Sequence, residues 1–293
     1  MATRRFDSPP SSVGIYARAL LGAIPGTGSL PVIGGRESDI PDDVLELEAT
    51  ADRERVADYC RVCGFTLRST LPPTYPHILA FPLHMAMVTD RRFPYSAAGL
   101  VHISNSITQK RPIEVGEPLE LRVRFTKLEP HPKGKQFSMI TEARAGGELV
   151  WESTSTTLHR GRGDESARKQ GPKLPDPLKL PASSEWKLPG DLGRRYGAVS
   201  GDRNPIHLYG ITAKAFGFPR AIAHGMWTKA RCLAALEAKL GDSFTVDVRF
   251  LRPILLPGRV AFASEESEGG IDFGVRSARG DVPHLAGRLT LDG

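Results

Sequence analysis

Met226-Trp-Thr-Lys-Ala-Arg-Cys-Leu-Ala-Ala-Leu-Glu-Ala-Lys-Leu240 places Ala230, Leu233, Leu236 and Leu240 at helical spacing, with alanines between them that permit close packing. Gly241 follows directly, after the basic Lys239, and glycine just past a basic last turn is a helix end. The spacing predicts one long helix here. Beyond it the period changes to strand-length runs at Phe244–Phe250, Arg259–Glu265, Ile271–Arg276 and Leu285–Leu291, divided by turn signals at Pro257-Gly258, Gly269-Gly270 and Gly280-Asp281. A long helix beside antiparallel strands is an α+β unit.

Working outward, the unit has a counterpart. Tyr59-x-x-Val62-Cys63-Gly64 matches Tyr196-x-x-Val199-Ser200-Gly201, and Arg111-Pro112-Ile113 matches Arg252-Pro253-Ile254, at offsets of 137 and 141 residues. Nearly constant offsets predict an internal duplication. The Pro-, Lys- and Gly-rich stretch after Arg160 has no sustained periodicity and reads as a linker. The expected organisation is an N-terminal extension over 1–39, rich in Gly, Pro and Ser with a short helix-like piece at Tyr16–Ile24, a first half over 40–160, a linker over 161–184 and a second half over 185–293.

A chain of 293 residues suits about two domains. With 40% hydrophobic and 25% charged residues it can bury sizeable cores, so disorder throughout is excluded. The net charge is +6, but 160–180 alone holds six basic and three acidic residues, half of that excess, so a basic groove for nucleic acid is not indicated. Three cysteines make no disulfide framework, and a reducing compartment is the natural reading. No apolar run reaches the ~20 residues that span a bilayer. The apolar stretch Gly14–Ile24 is interrupted by Arg18 and meets Pro25 with no cleavage signal; the expected setting is the cytoplasm, with an organelle as the alternative.

The chemistry-bearing stretch is Ser200-Gly-Asp-Arg-Asn-Pro-Ile-His207. Asn204 before Pro205 reads as a helix cap, with His207 in the first turn. The partial positive charge of that helix end is expected to keep the imidazole neutral and able to accept a proton. Asp202, just ahead of the cap, can fold back beside it so that both reach one water, an acid/base pair. Taken singly, Asp202 and Asn204 also suit a plain capping turn.

Tyr196 to His207, reading Y-x-x-V-S-G-D-x-N-P-I-H, resembles the signature of the MaoC-like, R-specific enoyl-CoA hydratase family, and Ala223-His224-Gly225-Met226 resembles that family's second motif. The resemblance implies a double hot dog, each half a long central helix wrapped by an antiparallel sheet. It implies Asp202 and His207 as the catalytic pair, Asn204 as their support and the Gly225 N–H as the donor to the thioester oxygen. It also implies reversible hydration of a trans-2-enoyl thioester, with no cofactor, no metal and coenzyme A only as part of the substrate. An amide at a helix start lacks a partner, which suits that role for Gly225.

The first half continues after Gly64 as Phe65-Thr-Leu-Arg-Ser-Thr70, without Asp, Asn-Pro or His. Features shared by both halves are therefore assigned to the fold and those of the second half alone to function. Pro72, Pro73, Pro76 and Pro82 are expected to break the first half's helix, opening space for an acyl chain near Leu79 and Phe81. Arg203, Lys214, Lys229 and Arg249 are the candidate cations for the phosphates of coenzyme A or an acyl-carrier arm. Cys60-x-x-Cys63 has the spacing of a redox pair but no second pair to complete a metal site. The two halves could form the paired unit within one chain, with a homodimer as the alternative through exposed sheet edges, and no nucleic-acid or membrane-spanning partner is expected. The rival readings are a hot-dog acyl-CoA thioesterase and a non-catalytic acyl-CoA-binding protein.

Overall fold

The computed structural model describes residues 2–10, 40–97, 100–167 and 171–291; the helix-like piece read at 16–24 lies outside them. The first half runs β1 (Thr3–Phe6), β2 (Val44–Thr50), α1 (Arg53–Cys63), α2 (Tyr75–Val88), β3 (Leu100–Gln109), β4 (Pro118–Phe125), β5 (Glu129–His131), β6 (Gly134–Ala145) and β7 (Glu148–Arg160). The second runs β8 (Ala182–Leu188), α3 (Leu192–Ser200), α4 (Pro205–Leu208), α5 (Gly210–Ala215), α6 (Gly225–Ala235), β9 (Phe244–Phe250), β10 (Gly258–Ser267), β11 (Gly270–Ser277) and β12 (Pro283–Leu291). Strand β8 thus begins ahead of the boundary drawn at 185.

Among the described residues these strands make one sheet in the order β1-β2-β4-β6-β7-β3-β9-β12-β11-β10-β8, with β5 on β6. Read from its centre, the order after β3 mirrors the order before it: β9 answers β3, β12 answers β7, and β8 answers β2. The halves meet where β3 and β9 pair antiparallel, from Ser104 opposite Arg249 to Gln109 opposite Phe244. This is a double hot dog, and its sheet alternates buried and exposed residues as one-sided antiparallel strands do, for example in β4.

The repeat markers hold the same stations in both halves. Helices α1 and α3 each end on a left-handed glycine, Gly64 at φ 84° and Gly201 at φ 77°, and their buried tyrosines approach each other, Tyr59 to Tyr196, at 6.2 Å between ring centroids. The isoleucines of the two Arg-Pro-Ile runs are buried, and each braces the chain ahead of a central helix. The Ile113 carbonyl accepts from the Leu71 N–H at 2.8 Å and the Ile254 carbonyl from the Ala223 N–H at 2.9 Å.

Two expectations fail here. The long helix ends at Ala235, and a 3₁₀ turn over Glu237–Lys239 completes the apolar face that suggested a longer one. The prolines do not break the first half's helix. Pro76 lies in the first turn of α2, where no amide partner is lost, and Pro82 is carried inside a helix whose mostly apolar residues pack it into the core.

Candidate active site

The second half's candidate catalytic segment is shaped by three glycines at positions where a side chain would not fit. A Cβ on Gly193 would run into the His207 carbonyl, and one on Gly197 would sit 2.8 Å from the Asp202 carbonyl oxygen, so α3 packs directly against the turn that carries both residues. On Gly225 a Cβ would lie 3.0–3.1 Å from the Phe250 ring.

The turn itself is built from side-chain to backbone bonds. Ser200 Oγ accepts from the Asp202 N–H at 3.1 Å, Asp202 Oδ1 from the Asn204 N–H at 3.1 Å, and Asn204 Oδ1 from the Ile206 N–H at 3.3 Å. Asn204 is the helix cap that the sequence predicted, opening a single turn, α4. His207 is buried, and its Nδ1 lies 2.7 Å from the Ile222 carbonyl. A carbonyl only accepts, so Nδ1 carries the proton of the neutral ring and Nε2 presents a lone pair.

Burial pushes the His207 pKa below the ordinary imidazole value, against a smaller upward pull from Asp202. This corrects the expected cause: desolvation keeps the ring neutral, whereas the helix behind it is four residues long.

His224 joins the pair and is the residue that sequence reasoning passed over. It is buried, stacks on His207 with ring centroids 3.7 Å apart, and its Nε2 lies 3.0 Å from the Asp202 carbonyl and 3.8 Å from Oδ2. Burial, then its neighbour His207, depresses its pKa strongly. Its signal in the sequence was its place directly before the singled-out Gly225. Asp202, His207 and His224 offer nitrogen and oxygen atoms all within 4.8 Å of one another, the one such cluster among the described residues and the place where a cation would fit if one were bound.

Gly225 opens α6 right after His224, so its amide stands at the helix start beside the pair. From the first half, Phe81 reaches the turn, its ring 3.6 Å from where a side chain on Gly201 would begin. Leu79 packs against the core and is not brought to the turn by any described contact. Two positions along a helix project about 200° apart, which separates it from Phe81.

The candidate cations divide. Arg203 and Lys214 are exposed on the segment's outer side. Arg249 is half-buried and donates to the Pro172 carbonyl at 3.4 Å, against the chain that links the halves. Lys229 is a correction: it is fully buried, and its Nζ donates to Asn105 O, Asn105 Oδ1 and Val246 O at 3.2, 2.5 and 3.0 Å. It pins α6 to both central strands and cannot meet a phosphate. Cys60 and Cys63 are buried thiols raised by desolvation, Cys60 to about 11, which suits core packing and not redox chemistry.

Residues 170–286 match the MaoC-like domain. The chain is 38% identical to 3-hydroxyacyl-thioester dehydratase X of Mycobacterium tuberculosis over 88% of its own length and 92% of that protein's. It is 28% identical to the enoyl-CoA hydratase ChsH3 of the same organism over 59% and 62% of the two chains. The crystal structure of HtdX from Mycobacterium tuberculosis superposes with a TM-score of 0.75 at 36% identity, covering 85% of this chain and all of that one.

Proposed function

The chain belongs to the MaoC-like family and is an enzyme of the hydratase/dehydratase type, and from that premise we propose that it adds water R-specifically and reversibly across trans-2-enoyl thioesters, giving 3-hydroxyacyl thioesters. The observation that carries the mechanism is the arrangement of His207, whose Nδ1 is committed to Ile222 so that Nε2 is left as an acceptor beside Asp202.

The thioester draws electrons from the alkene and makes its β-carbon electrophilic. One water, held between the Asp202 carboxylate and His207 Nε2, gives up a proton as its oxygen bonds to that carbon, and the α-carbon takes a proton from the pair. The negative charge that develops on the thioester oxygen meets the Gly225 N–H and the start of α6. His224 steadies both members, stacking on one and hydrogen-bonding the main chain of the other. Arg203 and Lys214 are the exposed cations for the carrier's phosphates, and Phe81 is the first half's contribution beside the acyl group. The hydroxyl-bearing product runs the same steps in reverse.

The test is incubation with trans-2-enoyl thioesters, on coenzyme A and on a carrier protein, followed by chiral analysis. The expected product is the (R)-3-hydroxyacyl thioester. An S product, or hydrolysis to free acid without hydration, overturns the reading.

A further inference from the structure

The first half's interior next to the site is more polar than the run Leu79 to Met87 suggests. Helix α2 carries two buried histidines, His77 and His84, with ring centroids 4.9 Å apart. His84 is partnered, its Nε2 2.7 Å from Thr141 Oγ1, whereas His77 Nδ1 is buried with no partner. His102 on β3 repeats that condition: its ring is half-buried, and its Nε2 is sealed from solvent with no partner. A buried polar atom left unpaired is costly, so such atoms on two neighbouring side chains need an account.

Packing ties His102 to the chemistry. Its ring lies 4.9 Å from that of Phe250, the same ring that closes over Gly225. It stands where the β3–β7 register shifts, between His102 and Ser104, and a bulge of this kind re-aims a side chain. Its imidazole hydrogen-bonds the Ser104 backbone, a bond that favours the protonated ring and so runs from the imidazole N–H to a carbonyl. Burial, then the nearby Lys229, nevertheless holds its pKa down to about 4, so at neutral pH Nε2 is a bare acceptor. Burial is also the largest cause of the lowered His77 pKa, and a site this dry disfavours a charged donor as it disfavours a charged imidazole. A neutral donor is what fits, and on an acyl chain that donor is a hydroxyl.

Resting on the hydratase reading above, we propose that His102, with the nearby His77, forms an acyl subsite selecting enoyl thioesters whose chain carries a hydroxyl group, which donates its hydrogen bond to His102 Nε2. Leu79 then lies outside the subsite and Phe81 forms its wall on the side of the catalytic turn.

The experiment compares kcat/KM of the full chain for plain trans-2-enoyl thioesters and for matched chains with one hydroxyl moved stepwise along them. One isomer is expected to be preferred about 10-fold, the worth of one hydrogen bond. In His102→Phe that ratio should fall to near one, and His102→Gln, which restores an acceptor, should recover part of it. A wild-type enzyme active on plain chains with a ratio near one for every isomer overturns the subsite and leaves the hydratase reading standing. A preference that persists in folded His102→Phe overturns the role of His102, and no turnover of either series overturns both proposals. The wild-type ratio is decisive even if the phenylalanine variant does not fold.

Discussion

Seven positions separate Gly64 from Leu71 in the first half, and twenty-two separate Gly201 from Ala223 in the second. Both intervals leave a helix through a left-handed glycine and end on a strand-like brace against an Arg-Pro-Ile run. The frame is shared, and the extra length in the second half is what carries Asp202, Asn204 and His207. The helix behind each interval differs to match: where α3 has Gly193 and Gly197, the corresponding positions of α1 are Val56 and Cys60, both buried. One half uses its side chains for core, and the other clears space for the turn proposed to be catalytic.

The largest break in this comparison comes from Gly225→Pro. It deletes the amide proposed for the thioester oxygen at a helix position that tolerates proline, after a His224 already at φ −67° and ψ 138°, the conformation a residue before proline prefers. Proline also brings a Cβ to within 3.0–3.1 Å of the Phe250 ring, as Gly225→Ala does while keeping the N–H, so the alanine variant is the reference: against it, turnover at saturating substrate is expected to fall about 10²–10³-fold with circular dichroism unchanged.

Carrying a first-half residue into the second comes next. Gly193→Val pushes the His207 backbone and should cost roughly 1–3 kcal/mol of stability, together with about a 10-fold or greater loss of kcat through misplacement of the ring. In the converse position, Val56→Ala should lower the melting temperature and leave kcat per folded molecule as it was. A Gly193→Val enzyme of full activity would show that the close approach of α3 is not needed.

Acid gives a subtler contrast. Folding depresses the pKa values of His77, His84, His207 and His224, that of His84 to about 3. The unfolded chain takes up these protons near the ordinary value of about 6.5, so stability is full above that pH and is lost as the pH falls toward the folded values. The melting temperature should be flat above about pH 6.5 and drop below it. The acid limb of kcat/KM should likewise lie below 6.5, the ordinary value from which burial lowers His207. The smallest effect is Arg111→Ala, which removes partly exposed ion pairs to Glu117 and Glu148. It should cost under about 1 kcal/mol and nothing in turnover, as expected of a feature both halves share.

Much of this was legible from residues alone. The paired motifs announced the duplication because each keeps one physical job in both halves: a glycine that ends a helix and an isoleucine that braces one. The Asp-x-Asn-Pro-x-His spacing announced the capped turn, since Asx turns and an Asn cap are local. What depends on distant packing was hidden. Pro76 and Pro82 read as breakers because propensity is local, whereas burial of α2 keeps the helix intact. Lys229 read as a cation for the carrier's phosphates, and only the fold shows the oxygens of Asn105 and Val246 that hold it. His224 stood inside the Ala223–Met226 motif, but of that motif only Gly225 was given a role. The glycines at 193 and 197, four apart and on one helix face, were visible, but what they make room for was not.

The central claim is that Asp202 and His207 act on one water as a single device, and a double-mutant cycle tests it most directly. Asp202→Asn, His207→Gln and the double variant are compared for hydration of one trans-2-enoyl thioester, with melting temperature and substrate binding as controls. Each single change should cost about 10²–10⁴ in kcat. The double variant should lose scarcely more than the worse single one, because a pair that works as a unit is already disabled by losing either member. Losses that multiply in the double variant, or a folded single variant with full turnover, would contradict the account.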